Sequence, residues 1–137
     1  MLIKKQTGRW SLAAAITLLS IAPITAQALG PMGVANPASV HCIEQGGTLD
    51  IRTRPDGGEY GVCVFEDNRQ CEEWALLRGQ CPKGGLKMTG YDNDAQIYCA
   101  ITGGQVEMAT QTCRSPDGVY CALDAYFSGR CPAPTVP

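Results

Sequence analysis

Eight cysteines are the residues of this sequence whose types and spacing most clearly indicate chemistry. They could bind zinc as thiolates or pair as disulfides. Zinc sites built from cysteines use close pairs separated by two to four residues, whereas neighbouring cysteines here are at least eight positions apart. We therefore predict disulfides, with no metal and no cofactor. The cysteines are Cys42, Cys63, Cys71, Cys81, Cys99, Cys113, Cys121 and Cys131.

The cysteine spacing is nearly the same in two sets of four. Steps of 21, 8 and 10 residues separate the first four, and steps of 14, 8 and 10 separate the last four. This pattern predicts a small cysteine-rich module that is present twice in tandem. A module of this size buries a small fraction of its surface and therefore depends on covalent cross-links. We expect each module to pair its own four cysteines, for which three connectivities exist.

Catalytic side chains are sparse in this sequence. His41 is the one histidine, so it has no second histidine with which to bind a metal. Glu72 and Glu73 are adjacent, and on a helix adjacent side chains point about 100° apart. We interpret the two acids as partners of a helix dipole and not as a catalytic pair. The sequence predicts no enzyme and no catalytic residue.

Local signals predict the elements of the first module. Asn36 and Pro37 suit the N-cap and the first position of a helix, and Gly46-Gly47 suits its end. Alternating apolar and polar residues on either side of a Pro-Asp-Gly-Gly turn predict a β-hairpin. A second helix is expected around the third cysteine, so the fold class is α+β. The predicted elements are a short helix at 36–45, strands at 48–54 and 59–65, and a short helix at 71–78.

The second module repeats this plan with a hairpin shortened by seven residues. Its first helix corresponds to that of the first module after a shift of 57 positions, and its last part after a shift of 50. Large apolar residues are few in both modules. We predict that the first core is formed mainly by Trp74, Leu76 and Leu77, and the second by Tyr126 and Phe127. The two modules are expected to pack against each other.

The N-terminal segment has the pattern of a signal peptide. Lys4, Lys5 and Arg9 precede an apolar run over 11–25, and Ala26-Gln27-Ala28 is a small-x-small cleavage site. Cleavage is expected between Ala28 and Leu29. A periplasmic or secreted location follows from it, and such compartments allow disulfides to persist.

The net charge of the chain limits the classes of binding partner that we expect. Loss of the signal peptide would change the net charge from -2 to -5, so nucleic acid is not an expected partner and we expect no membrane contact. The predicted organisation is a signal peptide at 1–28, a short N-terminal segment at 29–34, a first module at 35–82, a linker at 83–91, a second module at 92–132 and a tail at 133–137.

Several short motifs in order resemble a family of small exported bacterial domains of unknown function. They are Asn-Pro-Ala-Ser at 36–39 before Cys42, Gly-Gly at 46–47, and Glu-Trp-Ala at 73–75. Members of that family commonly carry a hemolysin label. The second module resembles it as a diverged copy, since Asp124 stands where the first module has Trp74. The resemblance supplies no catalytic residue.

The resemblance also implies a disulfide pairing. Family members that keep only the first two cysteines imply Cys42–Cys63, which leaves Cys71–Cys81. A helix through all ten steps between the last two would rise about 15 Å, whereas a disulfide joins Cα atoms less than about 7 Å apart. Either that helix is short and the chain turns back after Gly79, or the pairs are Cys63–Cys71 and Cys42–Cys81.

Three functions fit these observations. The first is an exported, non-catalytic module that binds a protein or an envelope component, with Trp74, Arg54 and Tyr60 as its possible contact surface. The second is a protease inhibitor that presents the segment 52–55, although Pro55 would block cleavage after Arg54. The third is membrane lysis, against which the short helices and the acidic charge argue. The oligomeric state is not predicted.

Overall fold

The computed structural model of the chain describes residues 35–131 and Gly8. Apart from Gly8, the predicted signal peptide with its cleavage site at Ala28 and Leu29 lies outside the described residues. The segment 29–34, the last residue of the predicted second module and the tail 133–137 also lie outside them. The described residues 35–131 belong to a single compact unit. We call residues 35–91 its first half and residues 92–131 its second half.

The first half contains a four-stranded antiparallel sheet whose strands pair in their order along the chain. The predicted helix over 71–78 is wrong at its start, because Cys71 and Glu72 lie in a third strand that pairs with the hairpin. A 3-10 turn at Glu66–Asn68 reverses the chain before that strand. The elements are α1 (Pro37–Glu44), β1 (Thr48–Thr53), β2 (Glu59–Phe65), β3 (Arg69–Glu72), α2 (Glu73–Leu77) and β4 (Leu86–Lys87).

The second half contains a three-stranded sheet, whose strands also pair in their order along the chain, between two helices. The helix, strands and final helix follow one another in the order seen in the first half. The mixture of helix and sheet cross-linked by disulfides confirms the α+β class. Tandem duplication of one module remains a prediction. The elements are α3 (Asp94–Ile101), β5 (Gln105–Glu107), β6 (Thr112–Arg114), β7 (Tyr120–Ala122) and α4 (Leu123–Phe127).

All four helices end in the same glycine-dependent motif. In α1 the amide of Gly46 donates to the carbonyl of Ile43, and the amide of Gly47 donates to that of Cys42, both at 3.0 Å. This is the Schellman arrangement, in which a residue with positive φ follows the helix. Gly46 adopts φ 83°, which glycine tolerates best. The equivalent glycines after α2, α3 and α4 are Gly79, Gly103 and Gly129.

In the Gly-Gly pairs that follow α1 and α3, the second glycine is required by a disulfide. A Cβ atom on Gly104 would lie 2.8 Å from the Sγ of Cys113 and 2.9 Å from the Sγ of Cys99. A Cβ atom on Gly47 would overlap the sulfur of Cys63. The Gly-Gly motif therefore does two things, since its first residue ends the helix and its second makes room for the sulfur atoms.

The structure contains four disulfides, with pairs Cys42–Cys63, Cys71–Cys81, Cys99–Cys113 and Cys121–Cys131. This is the first of the two pairings considered from the sequence. The helix between the third and fourth cysteines is short, five residues long, and the chain turns back at Gly79. The Cα atoms of Cys71 and Cys81 are consequently 5.9 Å apart. Cys63 and Cys71 face each other across β2 and β3, but each forms its disulfide with a different cysteine.

Strand β2 is covered on both of its faces, and this joins the two halves. One face carries Cys63 and Phe65 toward the disulfide core of the first half. The other carries Val62 into a cluster with Met88 and Ile101. We call Val62, Met88 and Ile101 the seam core. Val62 and Ile101 are fully buried. The segment 83–91, predicted as a linker, supplies both β4 and Met88 to the first half.

Two of the predicted core residues are exposed. Trp74 and Leu77 have exposed fractions of 36% and 38%, so their prediction as core is wrong, whereas Leu76 is buried as predicted. The cysteines and small residues fill the space between α1, α2 and the sheet, which leaves no room there for an indole. In the second half, Tyr126 and Phe127 pack against the disulfide core as predicted.

Candidate functional site

A groove with a volume of about 360 Å³ runs between the two halves. We call it the seam groove. It brings together the three residues that the sequence analysis proposed as a contact surface, Arg54, Tyr60 and Trp74. Both halves supply its walls, so neither half forms it alone. The remaining lining residues are Glu59, Glu72, Glu73, Arg78, Tyr98, Thr102 and Tyr126.

Aromatic rings from both halves meet beneath the seam groove. The ring of Tyr60, on β2, packs edge-to-face against the ring of Tyr98, on α3, with centroids 5.0 Å apart. Tyr98 in turn contacts Tyr126 at 5.6 Å and Phe127 at 5.1 Å. Such edge-to-face and tilted pairs are the favourable arrangements of aromatic rings. The floor of the groove is therefore a packed aromatic cluster that spans the seam.

Hydrogen bonds orient the phenol groups of this cluster. The Nη1 of Arg54 donates to the hydroxyl of Tyr98 at 3.4 Å, and its Nη2 lies 3.2 Å from Oδ2 of Asp56. The hydrogen bond to Tyr98 raises the pKa of Arg54. The hydroxyl of Tyr126 shares a hydrogen bond with Oγ1 of Thr102 at 3.0 Å. Burial raises the pKa of Tyr126, so its ring lines the groove as a neutral phenol.

Trp74 is the most exposed of the aromatic residues that line the groove. The guanidinium carbon of Arg78 lies 5.7 Å from the centroid of its ring, which is a cation–π geometry worth about 0.5–1 kcal/mol at an exposed site. Glu72 caps α2 by accepting a hydrogen bond from the amide of Ala75 at 2.8 Å. Burial raises the pKa of Glu72. The rim thus combines one exposed indole with charged groups of both signs.

Glu73 lies below the groove and is 5% exposed. Its Oε1 accepts a hydrogen bond from Nδ2 of Asn36 at 3.0 Å, and its Oε2 accepts one from Oγ of Ser39 at 2.5 Å. Its carboxyl group also lies against Gly61 on β2. The same Asn36 caps α1 through its Oδ1. Glu73 therefore connects the start of α1 to the start of α2, which gives the Asn-Pro-Ala-Ser and Glu-Trp-Ala motifs one shared structural role.

In the second half, the starts of α3 and α4 are packed without a buried carboxylate. Leu123 occupies the position of Glu73 and is 3% exposed. Gln96 occupies the position of Ser39 and is buried; its Nε2 donates to Oε1 of Gln111 at 3.3 Å. The Oε1 of Gln96 accepts a hydrogen bond from the backbone amide of Asp92. Leu123 offers no hydrogen-bond acceptor, and Gln96 bonds to Asp92 and Gln111 instead.

We expect Gly61→Ala and Glu73→Ala to have strongly non-additive effects on the free energy of unfolding. A Cβ on Gly61 would lie 2.5 Å from Cδ of Glu73, so Gly61→Ala should cost about 1–3 kcal/mol through overpacking. Glu73→Ala should cost about 2–3 kcal/mol, because Asn36 and Ser39 lose a charged acceptor. In the double variant the new methyl group enters the space that the carboxyl group has left.

Denaturant unfolding of the two single variants and the double variant measures this coupling. We expect the double variant to be more stable than the sum of the single effects predicts by at least about 0.5 kcal/mol. Simple additivity would show that Glu73 does not pack against Gly61, and would contradict the structural role given to the motifs.

Sequence reasoning did not propose the other seven lining residues as a contact surface. Glu72 and Glu73 had been assigned to a helix dipole, and Tyr126 to the core of the second half. Tyr98 did carry a signal, since it takes the position that His41 holds in the first half. A large aromatic residue in place of a histidine on a short helix suggests contact with a partner surface, which here is the first half.

Residues 33–80 match the model of a family described as a domain of unknown function (DUF333). The uncharacterized protein YoaF of Escherichia coli (strain K12) is 42% identical over 53 residues, which are 39% of this chain and 62% of YoaF. The protein of the same name from Shigella flexneri gives the same values. The chain thus spans less than two thirds of the length of these curated relatives. No solved structure matches.

These matches support a relation to a family of unknown function, and neither description mentions hemolysis. The segment that matches the family model ends at residue 80. It includes the wall of the seam groove that the first half provides, and it excludes Tyr98, Thr102 and Tyr126. A groove of this composition therefore depends on residues beyond the matched segment.

Proposed function

We propose that this chain is an exported binding protein without catalytic activity, and that the seam groove is its ligand site. The observation that carries the proposal is the convergence of Tyr60, Trp74, Tyr98 and Tyr126 with two arginines in one groove formed by both halves. Aromatic residues and arginine are the side chains that contribute most to binding energy at protein surfaces. The ligand is a component of the cell envelope or of the space outside it.

Two features support export. All eight cysteines are paired, and disulfides of this density persist in oxidising compartments and not in the cytosol. The N-terminal residues also have the charge, apolar run and small-residue site of a secretory signal. On this proposal the protein acts in the periplasm or after secretion, with Leu29 as its first residue.

A protease inhibitor is less well supported by the geometry of the hairpin turn. An inhibitory loop presents its key side chain to the protease, whereas Arg54 lies against Tyr98 and Asp56 inside the seam groove. The amide of Arg54 donates to the carbonyl of Gly58, and its carbonyl accepts from the amide of Gly57. The turn is closed on itself, and we propose no inhibitory role for it.

Within the part of the chain that the structure describes, no structural feature favours membrane lysis, the activity suggested by the hemolysin label of the resembling family. None of the helices within residues 35–131 combines the length and apolar character that a membrane span requires. The helices α1 and α3 have eight residues each and so extend about 12 Å, against a hydrocarbon thickness of about 30 Å. We therefore propose binding, and not lysis, as the function.

Capture of envelope material by immobilised protein tests the proposal. We expect the unaltered protein to retain a component of a native envelope extract, and Trp74→Ala to weaken retention roughly tenfold, as loss of a central aromatic contact does. The matched control is Tyr120→Ala. Tyr120 is 63% exposed and stacked by Arg114 in the same manner as Trp74 by Arg78, but it does not line the seam groove.

The comparison between these two variants decides the outcome. Retention that falls with Trp74→Ala and persists with Tyr120→Ala supports the seam groove as the binding site. Retention that is equally strong in both variants would show that the ligand binds elsewhere, and the absence of any retained component would contradict a binding function.

A further inference from the structure

The geometry of the seam groove points to a neutral saccharide as its ligand. This inference rests on the proposed function, because it names the class of ligand for the same site. Three properties of the groove carry it: its exposed and partly exposed rings, the balance of charge on its rim, and its continuation into a second cavity.

The first property is the presence of aromatic surface that is open to solvent but held in place. Trp74 is 36% exposed, and Tyr60, Tyr98 and Tyr126 are partly exposed. One face of a pyranose ring carries several C–H groups and packs well on an aromatic ring. The hydrogen bonds that orient Tyr98 and Tyr126 reduce the entropy that such rings would lose on binding.

The second property is the charge of the lining. Arg54 and Arg78 bring two positive charges, Glu59 and Glu72 bring two carboxyl groups at the rim, and Glu73 brings a third carboxyl group below it. This lining has no excess of positive charge, so it gives no electrostatic preference for a nucleic acid or another polyanion. Guanidinium and carboxylate groups are planar and can form paired hydrogen bonds. Adjacent hydroxyl groups of a neutral sugar act as both donors and acceptors and can satisfy both signs.

The third property is length. A neighbouring cavity of about 240 Å³ shares Arg78, Thr102 and Tyr126 with the seam groove and continues past Gln80 toward Ser115. The side chains shared by the two cavities lie where a second sugar unit would follow a first. The ligand is therefore a saccharide of at least two units, and a single monosaccharide would occupy only part of the site.

A peptide fits these observations less well. Peptide side chains are recognised in apolar pockets, whereas both cavities expose more polar than apolar surface. A peptide with a net positive or a net negative charge would also meet a pair of rim residues with the same sign of charge as its own. Peptides are consequently the alternative that the experiment must distinguish.

Tryptophan fluorescence gives a readout located in the groove. The chain contains two tryptophans, Trp10 and Trp74. Trp10 lies in the predicted signal peptide, so the exported protein, or the full chain carrying Trp10→Phe, reports on Trp74 alone. The probes are maltotriose, cellotriose and tri-N-acetylchitotriose, with trialanine and Ala-Tyr-Ala as peptides of similar length. We expect at least one trisaccharide to change the emission in a saturable manner below about 1 mM, and neither peptide to do so.

Two substitutions of exposed arginines localise that response without disturbing the core. Arg78→Ala should weaken trisaccharide binding roughly tenfold, because Arg78 lines both cavities. Arg69→Ala is the matched control, since Arg69 is an exposed arginine on β3 outside both cavities, and it should leave the affinity unchanged. Calorimetry of the same mixtures detects binding that does not reach Trp74.

The outcomes separate this inference from the proposed function. A response to peptides and to no trisaccharide would overturn the saccharide inference, while the groove would stand as a binding site. If the protein captures envelope material through Trp74 and yet responds to none of the trisaccharides or peptides, that result would also overturn the saccharide inference and leave the groove as a binding site. Trisaccharide binding that is insensitive to Arg78→Ala and invisible at Trp74 would place the sugar elsewhere and overturn the inference as well.

Discussion

Simultaneous replacement of Cys42 and Cys63 by alanine is expected to lower the free energy of unfolding by at least about 3 kcal/mol. The bridge closes a segment of 21 residues, and its removal returns the conformational entropy of that loop to the unfolded chain. Both cysteines are also completely buried, so their loss removes packing between α1 and β2. Because small domains are only marginally stable, most of the stability of the unit that both halves form should disappear.

Thermal and denaturant unfolding of the double variant measure this loss, and two controls make it specific. The first is the Cys121→Ala, Cys131→Ala variant, whose bridge closes only 10 residues and should cost less. The second is thiol titration of the denatured Cys42→Ala, Cys63→Ala variant. It should find no free thiol if these two cysteines are partners, and two free thiols would contradict the pairing.

Ile101→Ala should destabilise both halves together, by about 2–5 kcal/mol. Ile101 belongs to α3 in the second half, is fully buried, and packs in the seam core with Val62 and Met88. The cavity left by the substitution would therefore lie between the halves. Because β2 contributes to this cluster on one face and to the disulfide core on the other, opening of the seam exposes the first half as well.

Trp74 fluorescence in the Trp10→Phe background measures this effect in the first half. We expect Ile101→Ala to move the denaturant midpoint seen at Trp74 by as much as the midpoint seen by far-ultraviolet circular dichroism. The control is Ile51→Ala, at a residue that is 54% exposed, which should change stability by less than about 0.5 kcal/mol. An unchanged midpoint at Trp74 in Ile101→Ala would mean that the halves unfold independently.

Elements defined by local signals could be predicted from the sequence. Asn36, Pro37 and Gly46 mark the ends of α1 because capping and positive φ are properties of single residues. The strands β1 and β2 follow from alternation around a turn of Pro, Asp and Gly. The side chains of β2 also alternate as predicted, with Val62 on one face and Cys63 on the other.

Elements that depend on distant partners could not be predicted in this way. Strand β3 has four residues and is a strand because β2 lies beside it, whereas its own sequence suits the start of a helix. Trp74 was expected in the core because it is large and apolar, yet the space it would need is filled by disulfides. The seam core joins residues from three separate segments, and no pattern within one segment reveals it.

The candidate site also combines residues that local signals identify with an arrangement that depends on distant partners. Arg54, Tyr60 and Trp74 were identified as possible contacts from their types and from their places on the hairpin and the second helix. Their convergence in one groove depends on α3, which begins 20 to 40 residues further along the chain. Tyr98 and Thr102 become groove residues only because the second half packs on β2.

The central claim is that the two halves form one folding unit and thereby build the groove between them. Native-state amide hydrogen exchange tests it most directly, because it reports the free energy of opening at each residue. We predict that the amides of Cys63 and Cys113, in the two sheets, exchange with the same free energy, equal to that of global unfolding. Exchange at Cys113 through a separate opening of lower energy, while Cys63 stays protected, would contradict this claim.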